Sequence, residues 1–319
     1  MIKISAPGKL MLFGEHAVVH GRPCIVTAVD QRISVSLSKR KDNKIYLNTP
    51  DMKIKKFVLS IDELNKPQSK ETRFVLNAVK NFFEKYNLQS GLNIKTKSDP
   101  FIKFGLGSSS AVTVSIIKGL AELFEMKINN KELFNLSYKT VLDIQEVGSG
   151  FDVAAAIYGG TLFFVRSGEV IEQLEVEKPP IILGYTGIKA DTPTLVKMVS
   201  QKLQEEPRKV NKIFDEIEKT VNLARIEMEK SNWGKVGGLM NLNQSLLRKL
   251  GVSSNELENL ITAALDSGAY GAKLSGAGGG DCMIAIADEE KLNNVKEAVE
   301  KAGGKIVDAK PQTDGVRLG

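Results

Sequence analysis

Residues 105–123 read GLGSSSAVTVSIIKGLAEL, a turn of glycines and serines that runs directly into an apolar helix. The spacing of the apolar residues predicts that this helix covers residues 108–126. Glycines let backbone N–H groups approach an anion closely, and the start of a helix adds partial positive charge there. The serines can cap the helix or donate a hydroxyl to a magnesium-bound phosphate. An anion-binding loop and a plain turn with an N-cap both fit residues 105–110.

Two common nucleotide-binding motifs do not fit this loop. It is not a Walker loop, because no Gly-Lys-Ser or Gly-Lys-Thr follows, and it lacks the third glycine of a dinucleotide-binding fingerprint. Thirteen of the 28 glycines fall in four short segments, at residues 8–21, 105–110, 148–160 and 276–280. The last segment is almost entirely glycine, which costs backbone entropy unless another group packs against the backbone. A helix C-cap followed by a loose loop is the simpler alternative for it.

Two charged residues stand in apolar surroundings and are candidates for chemistry. Asp152 follows Gly150-Phe151 and precedes an apolar run, which predicts either a helix N-cap or a carboxylate directed at a substrate hydroxyl. Lys9 lies between a Pro-Gly turn and another apolar run, where a buried cation needs a partner. For both residues the structural and the catalytic interpretations stay open at this point.

The pattern along the chain predicts a mixed α+β protein. The first 40 residues alternate short β-rich runs with glycine turns, including separate strands at 2–5 and 10–13. Apolar residues at helical spacing predict helices at 71–86, 131–145, 194–204, 207–231, 233–250, 254–267 and 289–302. Strands and helices alternate irregularly, so we expect antiparallel strands. We also expect two domains, covering residues 1–170 and 171–319.

The composition is that of a globular protein, with 42% hydrophobic and 26% charged residues. The formal net charge of +6 suits an anionic small substrate as well as nucleic acid or a membrane surface. Aromatic residues make up only 6% and are not interleaved with the lysines, which argues against nucleic acid. The two histidines, His16 and His20, exclude an HExxH metal site. Long apolar runs are absent from the sequence, so we expect a cytoplasmic protein without membrane contact.

Three segments, in their order along the chain, resemble the motifs of the GHMP kinases, a family of ATP-dependent small-molecule kinases. Pro7-Gly8-Lys9 resembles the first motif, residues 105–110 resemble the second, the phosphate-binding loop, and residues 275–280 resemble the third. The resemblance extends over nearly the whole chain. It implies the two-domain GHMP kinase fold, with a ribosomal-protein-S5-like N-terminal domain and a ferredoxin-like C-terminal domain.

Within that family, the motifs are similar to two different groups. Residues 14–21, GEHAVVHG, and residues 239–244, LMNLNQ, resemble archaeal-type mevalonate kinases. Residues 103–107, KFGLG, and residues 278–282, GGGDC, resemble phosphomevalonate kinases. Mevalonate kinases usually carry a magnesium-binding glutamate eleven positions before the catalytic aspartate, and Val141 occupies that position here. The N-terminal segment therefore favours mevalonate, whereas the missing glutamate favours phosphomevalonate.

The resemblance also implies roles for individual residues. Asp152 would accept or orient the proton of the substrate hydroxyl, and Lys9 would keep Asp152 ionised and stabilise developing charge. The residues expected to bind ATP are Gly105, Leu106, Gly107, Ser108, Ser109 and Ser110. Those expected to bind the substrate are Glu15, His16, Thr192, Gly276 and Ala277, with Thr194 as a further candidate. The expected magnesium ligands are Ser109 and Glu146.

These roles predict phosphorylation of mevalonate to 5-phosphomevalonate, a step in the synthesis of isoprenoid precursors, with ATP and Mg²⁺ as cofactors. Phosphomevalonate kinase is the first alternative, and its second phosphate would need extra cations, for which Lys103, Lys189 and Lys197 are candidates. A ligand sensor that keeps the fold without turnover is an alternative from a different class. The expected partner is a small-molecule substrate, with no nucleic acid and no membrane, and the protein is expected to be a monomer or homodimer.

Overall fold

The computed structural model describes residues 1–50, 54–102 and 104–319. The strands in this part of the chain are β1 (Ile2–Phe13), β2 (Cys24–Arg40), β3 (Lys44–Thr49), β4 (Ile54–Ser60), β5 (Gly91–Ser98), β6 (Thr161–Val165), β7 (Val170–Leu174), β8 (Ile181–Tyr185), β9 (Gly271–Ser275), β10 (Cys282–Ile286), β11 (Lys305–Ile306) and β12 (Arg317–Leu318). The helices are α1 (Arg73–Tyr86), α2 (Ser108–Leu123), α3 (Asn130–Gln145), α4 (Phe151–Tyr158), α5 (Thr192–Glu205), α6 (Pro207–Glu229), α7 (Trp233–Leu250), α8 (Asn255–Asp266) and α9 (Leu292–Lys301).

The larger sheet has the strand order β12-β1-β2-β5-β3-β4, with β6 paired to β2 and β7 paired to β6. All of its pairs are antiparallel except β3 with β5. Helix α2 packs on β1 and β2, between the neighbouring helices α1, α3 and α4. Its apolar residues point in nearly every direction, and a helix of that kind has to be buried on most sides. This central position holds the glycine-serine turn rigidly at the start of α2.

The smaller sheet has the order β11-β8-β10-β9 and is antiparallel throughout. Helices α7 and α8 pack against β9, α9 packs against β8, and α6 runs alongside α7. The second half also contacts the first directly, because Ser275 Oγ donates to Met11 O at 2.9 Å and accepts from Met11 N at 3.1 Å. The two glycine-rich ends of β1 and β9 are therefore held side by side.

The α+β prediction is confirmed by this arrangement. The predicted boundary between residues 170 and 171 falls inside β7, and β12 returns to pair with β1 in the larger sheet. The division into residues 1–170 and 171–319 stays a prediction. In the described residues, no helix combines the length and the apolar character needed to cross a membrane.

Two sequence-based expectations differ from the structure in an instructive way. The strands predicted at 2–5 and 10–13 form one strand, β1, because the ladder with β2 continues through a register shift between Pro7 and Gly8. A β-bulge of this kind absorbs the turn residues without ending the strand. Strand β3 is not among the predicted strands, because lysine, tyrosine and asparagine occupy its outer face while Ile45, Leu47 and Thr49 point inward.

Candidate active site

The loop 105–107 lies against the middle of β1. Lys9 N donates to Leu106 O at 2.9 Å, and a Cβ added at Gly8 would lie 2.6 Å from the same oxygen. Gly107 is the N-cap residue of α2 and has a φ of 78°, a conformation that favours glycine. A Cβ there would also lie 3.0 Å from Lys9 Cγ. Glycine is therefore needed at 107 both for its backbone conformation and for the lysine that packs on it.

The Lys9 side chain lies on this loop. It is 8% exposed, and its Nζ donates to Gly105 O at 3.0 Å. The ammonium also lies 5.5 Å from the centre of the Phe151 ring, next to Asp152 in the chain. Lys9 and Asp152 do not form an ion pair in the described structure, since the lysine is bound to the loop carbonyl instead. The partners that a buried Lys9 ammonium needs are therefore the Gly105 carbonyl oxygen and the Phe151 ring.

Asp152 lies in the first turn of α4, beside the start of α2. Its Oδ2 accepts a hydrogen bond from Ser110 Oγ at 2.5 Å. The N-cap residue of α4 is Gly150, so Asp152 is not the cap that one interpretation of the sequence predicted. A carboxylate in the first turn still interacts favourably with the helix dipole. Ser110, one of the expected ATP-binding residues, is used here to orient Asp152.

The buried thiol of Cys24 is affected by charged residues from two segments, the N-terminal segment and the start of α4. Burial raises the pKa of Cys24 well above its usual value, and the charges of Glu15 and Asp152 raise it further, while Lys9 lowers it. Lys9 and Glu15 are neighbours in the sequence, whereas Asp152 is distant from both, and the Lys9 ammonium lies 5.5 Å from the ring of Phe151, the residue before Asp152. The N-terminal segment and the start of α4 are brought into one site.

Glu15 is completely buried and forms an ion pair with Lys273 of β9. Burial raises the pKa of Glu15 and lowers that of Lys273, and their mutual attraction opposes both shifts. The second carboxylate oxygen, Oε2, has no hydrogen-bond partner among the described residues. A buried pair of this kind is stable only while both partners remain, because either charge alone is costly to bury.

The neighbouring His16 connects the N-terminal segment to the last glycine segment, residues 276–280. Its backbone has a φ of 61°, and its Nε2 lies 2.8 Å from Ala277 O, which requires the proton to be on Nε2. Gly276 directly precedes Ala277 in the chain and follows the end of β9. Four of the five residues expected to bind substrate, Glu15, His16, Gly276 and Ala277, thus form one contact cluster.

Two family models match this chain, one in each half. The family model for the GHMP kinases N terminal domain matches residues 73–160, and the model for the GHMP kinases C terminal matches residues 223–305. The mevalonate kinase of Pyrococcus abyssi is 33% identical over 330 aligned positions, which cover 100% of this chain and 98% of that protein. The chain belongs to the GHMP kinase family. Membership of a kinase family implies that this protein uses ATP and acts on a small molecule.

Solved structures show the same fold. The crystal structure of Methanococcus jannaschii mevalonate kinase matches this GHMP kinase with a TM-score of 0.84 at 27% identity, over 98% of each chain. Streptococcus pneumoniae phosphomevalonate kinase, solved in complex with phosphomevalonate and AMPPNP, matches with a TM-score of 0.81 at 20% identity, over 98% of this chain and 100% of that one. The second comparison concerns the fold alone.

The buried His16 makes the stability of this GHMP kinase pH-dependent. Burial lowers the pKa of His16 from 6.5 to about 4. Between these two values the unfolded chain binds a proton that the folded chain does not, so stability falls as the pH is lowered from 6.5 towards 4. At pH 5 the expected loss from this residue is about 2 kcal/mol.

The measurement is urea denaturation at pH 7.5 and pH 5 for the wild type and for His16→Asn. Asparagine does not titrate and tolerates a positive φ. The variant should lose less stability than the wild type between these two pH values. Equal losses in the two proteins would show that His16 is not the residue responsible.

The remaining predicted residues lie outside this cluster. Thr192 is the exposed first residue of α5. The hydroxyl of Thr194 takes part in the N-terminal cap of the same helix, where its Oγ1 donates to Asp191 Oδ2 at 2.7 Å. Glu146 is exposed at the C-terminal end of α3, with a φ of 62°. Their roles in binding stay predictions, as does that of Lys103, which lies outside the described residues.

A cavity of about 130 Å³ lies beside the start of α2. The cavity is lined by the first turns of α2, by apolar residues of α1 and by the segment before α2. The lining includes Phe74, Val75, Ile102, Ser108, Ser109 and Val112. The lining is mostly apolar but also includes the acidic residues Glu71 and Asp99.

Two residues of the site region were not singled out from the sequence. Lys273 lies in the fully buried strand β9. Its position between the apolar residues Ala272 and Leu274 is the feature of the sequence that could have indicated a buried, paired lysine. Asp281 follows the last glycine segment, residues 276–280, and its carboxyl lies 2.9 Å from the position of a Cβ at Gly105. A carboxylate in a glycine-rich loop carries no local sign of which distant loop it will contact.

Proposed function

We propose that this GHMP kinase transfers a phosphoryl group from ATP to mevalonate and forms 5-phosphomevalonate. The proposal rests on similarity along the whole chain to mevalonate kinases, at 33% identity over 100% of the chain for the Pyrococcus abyssi relative. The position of Asp152 beside the start of α2 supports it, because phosphoryl transfer needs a group that orients the attacking hydroxyl next to the phosphate-binding loop.

In this proposal, each part of the site has one task. The backbone N–H groups at the start of α2 bind the phosphates of ATP. Asp152, oriented by Ser110, accepts or orients the proton of the substrate hydroxyl. Lys9 lies on the Gly105 carbonyl and adds positive charge beside the loop, where negative charge develops during transfer. The turn with Glu15 and His16 forms the substrate side of the site.

The oxygen donors present fit magnesium. Mg²⁺ prefers hard oxygen ligands and is commonly held by one or two protein groups together with nucleotide phosphates and water. No group of three histidine, cysteine, aspartate or glutamate side chains that could hold a metal ion is found in the described residues. Ser109, with its hydroxyl at the start of α2, is the residue that we propose as a ligand. Bound magnesium would neutralise phosphate charge.

Mevalonate is favoured over phosphomevalonate as the acceptor. A second phosphate would need extra cations, and Lys189 and Lys197 are both exposed. The curated relatives that cover the chain at about one third identity are mevalonate kinases, whereas the phosphomevalonate kinase structure is 20% identical. The sensor alternative receives no support from these comparisons.

The test is a coupled assay of ADP release with mevalonate, 5-phosphomevalonate, homoserine and galactose. We expect mevalonate to give a kcat/KM at least about tenfold above that of each other acceptor, because the pocket has to match the shape and charge of its substrate. A preference for 5-phosphomevalonate would establish the first alternative. Binding of ATP without ADP release from any acceptor would indicate a sensor.

A further inference from the structure

Asp281 lies beside residues 105–110, which we call the anion loop. Its carboxylate has no task in the proposed reaction. Its backbone has a φ of 52°, and its N–H donates to Ile188 O at 2.7 Å. Its carbonyl accepts from Thr186 N at 2.9 Å, and its Oδ1 accepts from Ala190 N at 3.2 Å. Two backbone bonds and one side-chain bond thus hold Asp281 against the segment between β8 and α5.

The other side of this carboxylate lies against the anion loop. A Cβ built at Gly105 would be 2.9 Å from Asp281 Cβ, Cγ and Oδ2, so the carboxylate packs directly on the Gly105 Cα. The carbonyl of the same glycine accepts the hydrogen bond from Lys9 Nζ at 3.0 Å. One peptide of the loop is therefore held between a carboxylate and an ammonium group from opposite halves of the chain.

The carboxylate of Asp281 places a negative charge beside a loop that, in the proposed function, receives a polyanion. Burial raises the pKa of Asp281 above its usual value, and the Ala190 N–H and the positive charges of Lys9 and Lys189 oppose this shift only in part. A fixed negative charge beside the loop repels an incoming nucleotide in proportion to the nucleotide's own negative charge. The magnesium complex of ATP carries less negative charge than metal-free ATP and is repelled less.

We propose that Asp281 makes the nucleotide site selective for the magnesium complex of ATP over metal-free ATP. The inference deepens the proposed kinase function and rests on it. A purely structural role, in which Asp281 only fastens two loops together, needs its acceptor oxygen for Ala190 N and not its charge. Asparagine keeps such an acceptor and tolerates a positive φ, so Asp281→Asn separates the two roles.

The experiment measures the Kd of ATP by isothermal titration calorimetry, once with EDTA and once with saturating magnesium. The proteins are the wild type, Asp281→Asn and the matched control Asp266→Asn, which removes one exposed carboxylate from the end of α8. Asp281→Asn should bind metal-free ATP about tenfold more tightly and the magnesium complex less than about threefold more tightly. The control should leave both Kd values unchanged.

Several results would overturn the proposal. These are unchanged Kd values in a folded Asp281→Asn, equal tightening of both nucleotide forms, and weaker binding of the magnesium complex. If the asparagine variant does not fold, Asp281→Gly, which also suits the positive φ, carries the same expectation. The titration needs no acceptor, so it remains decisive if mevalonate is not the substrate. Failure of the wild type to bind ATP would instead contradict the proposed function.

Discussion

Asp152→Asn should lower kcat by about 10²–10⁴-fold, because asparagine cannot accept the proton of the substrate hydroxyl. The amide matches the carboxylate in shape, and its oxygen can still accept the hydrogen bond from Ser110 Oγ. The fold and the binding of ATP should therefore survive. The measurement combines steady-state kinetics with mevalonate, ATP titration and thermal unfolding of the same preparation.

The matched control for this prediction is again Asp266→Asn, which makes the same chemical change at an exposed position. A second variant, Ser110→Ala, removes the group that orients Asp152 and leaves the carboxylate itself. We expect its loss of kcat to be smaller than that of Asp152→Asn. Turnover near the wild-type value in a folded Asp152→Asn would contradict the role proposed for Asp152.

Lys273→Met should destabilise the protein by about 3–5 kcal/mol, because it leaves Glu15 as an unpaired buried charge. Without Lys273, the pKa of the buried Glu15 rises further above its unfolded value. The unfolded chain then releases this proton at a lower pH than the folded chain does. The stability of Lys273→Met should consequently decrease as the pH is raised above about 4.5, towards neutrality.

A double variant tests whether this loss comes from the charge or from packing. Glu15→Gln combined with Lys273→Met removes both charges and should recover a large part of the stability lost in Lys273→Met alone. Urea denaturation at pH 5 and pH 8 gives the required free energies of unfolding. A loss below about 1 kcal/mol in Lys273→Met would mean that the pair contributes as little as an exposed ion pair.

Elements with a strong local pattern could be predicted well from the sequence. The helix predicted at 233–250 is found as Trp233–Leu250, and the helix predicted at 131–145 is found as Asn130–Gln145. Strand β9 was not predicted, because it is only five residues long and contains a lysine at its centre. The charge of Lys273, which is unusual in a buried strand, is paired with Glu15. The sequence around β9 gives no indication of this distant partner.

The sequence by itself determined the class of the protein and the residues that build its loops. Glycines before a helix, apolar periodicity and the order of three motifs are contiguous features, and each is readable where it stands. Only the tertiary structure decided which charged groups meet. Lys9 and Gly105 are separated by 96 positions, Ser110 and Asp152 by 42, and Glu15 and Lys273 by 258.

These contacts depend on strand register and on how α2 packs between β1, β2 and the neighbouring helices. A shift of one residue in β1 would turn Lys9 to the other face of the sheet and away from the Gly105 carbonyl. Partners for buried charges are chosen by packing of the whole molecule, since each charge needs the particular group that folding brings beside it. For this reason the sequence pointed to Asp152 and Lys9, whereas their surroundings, together with Lys273 and Asp281, emerged only from the fold.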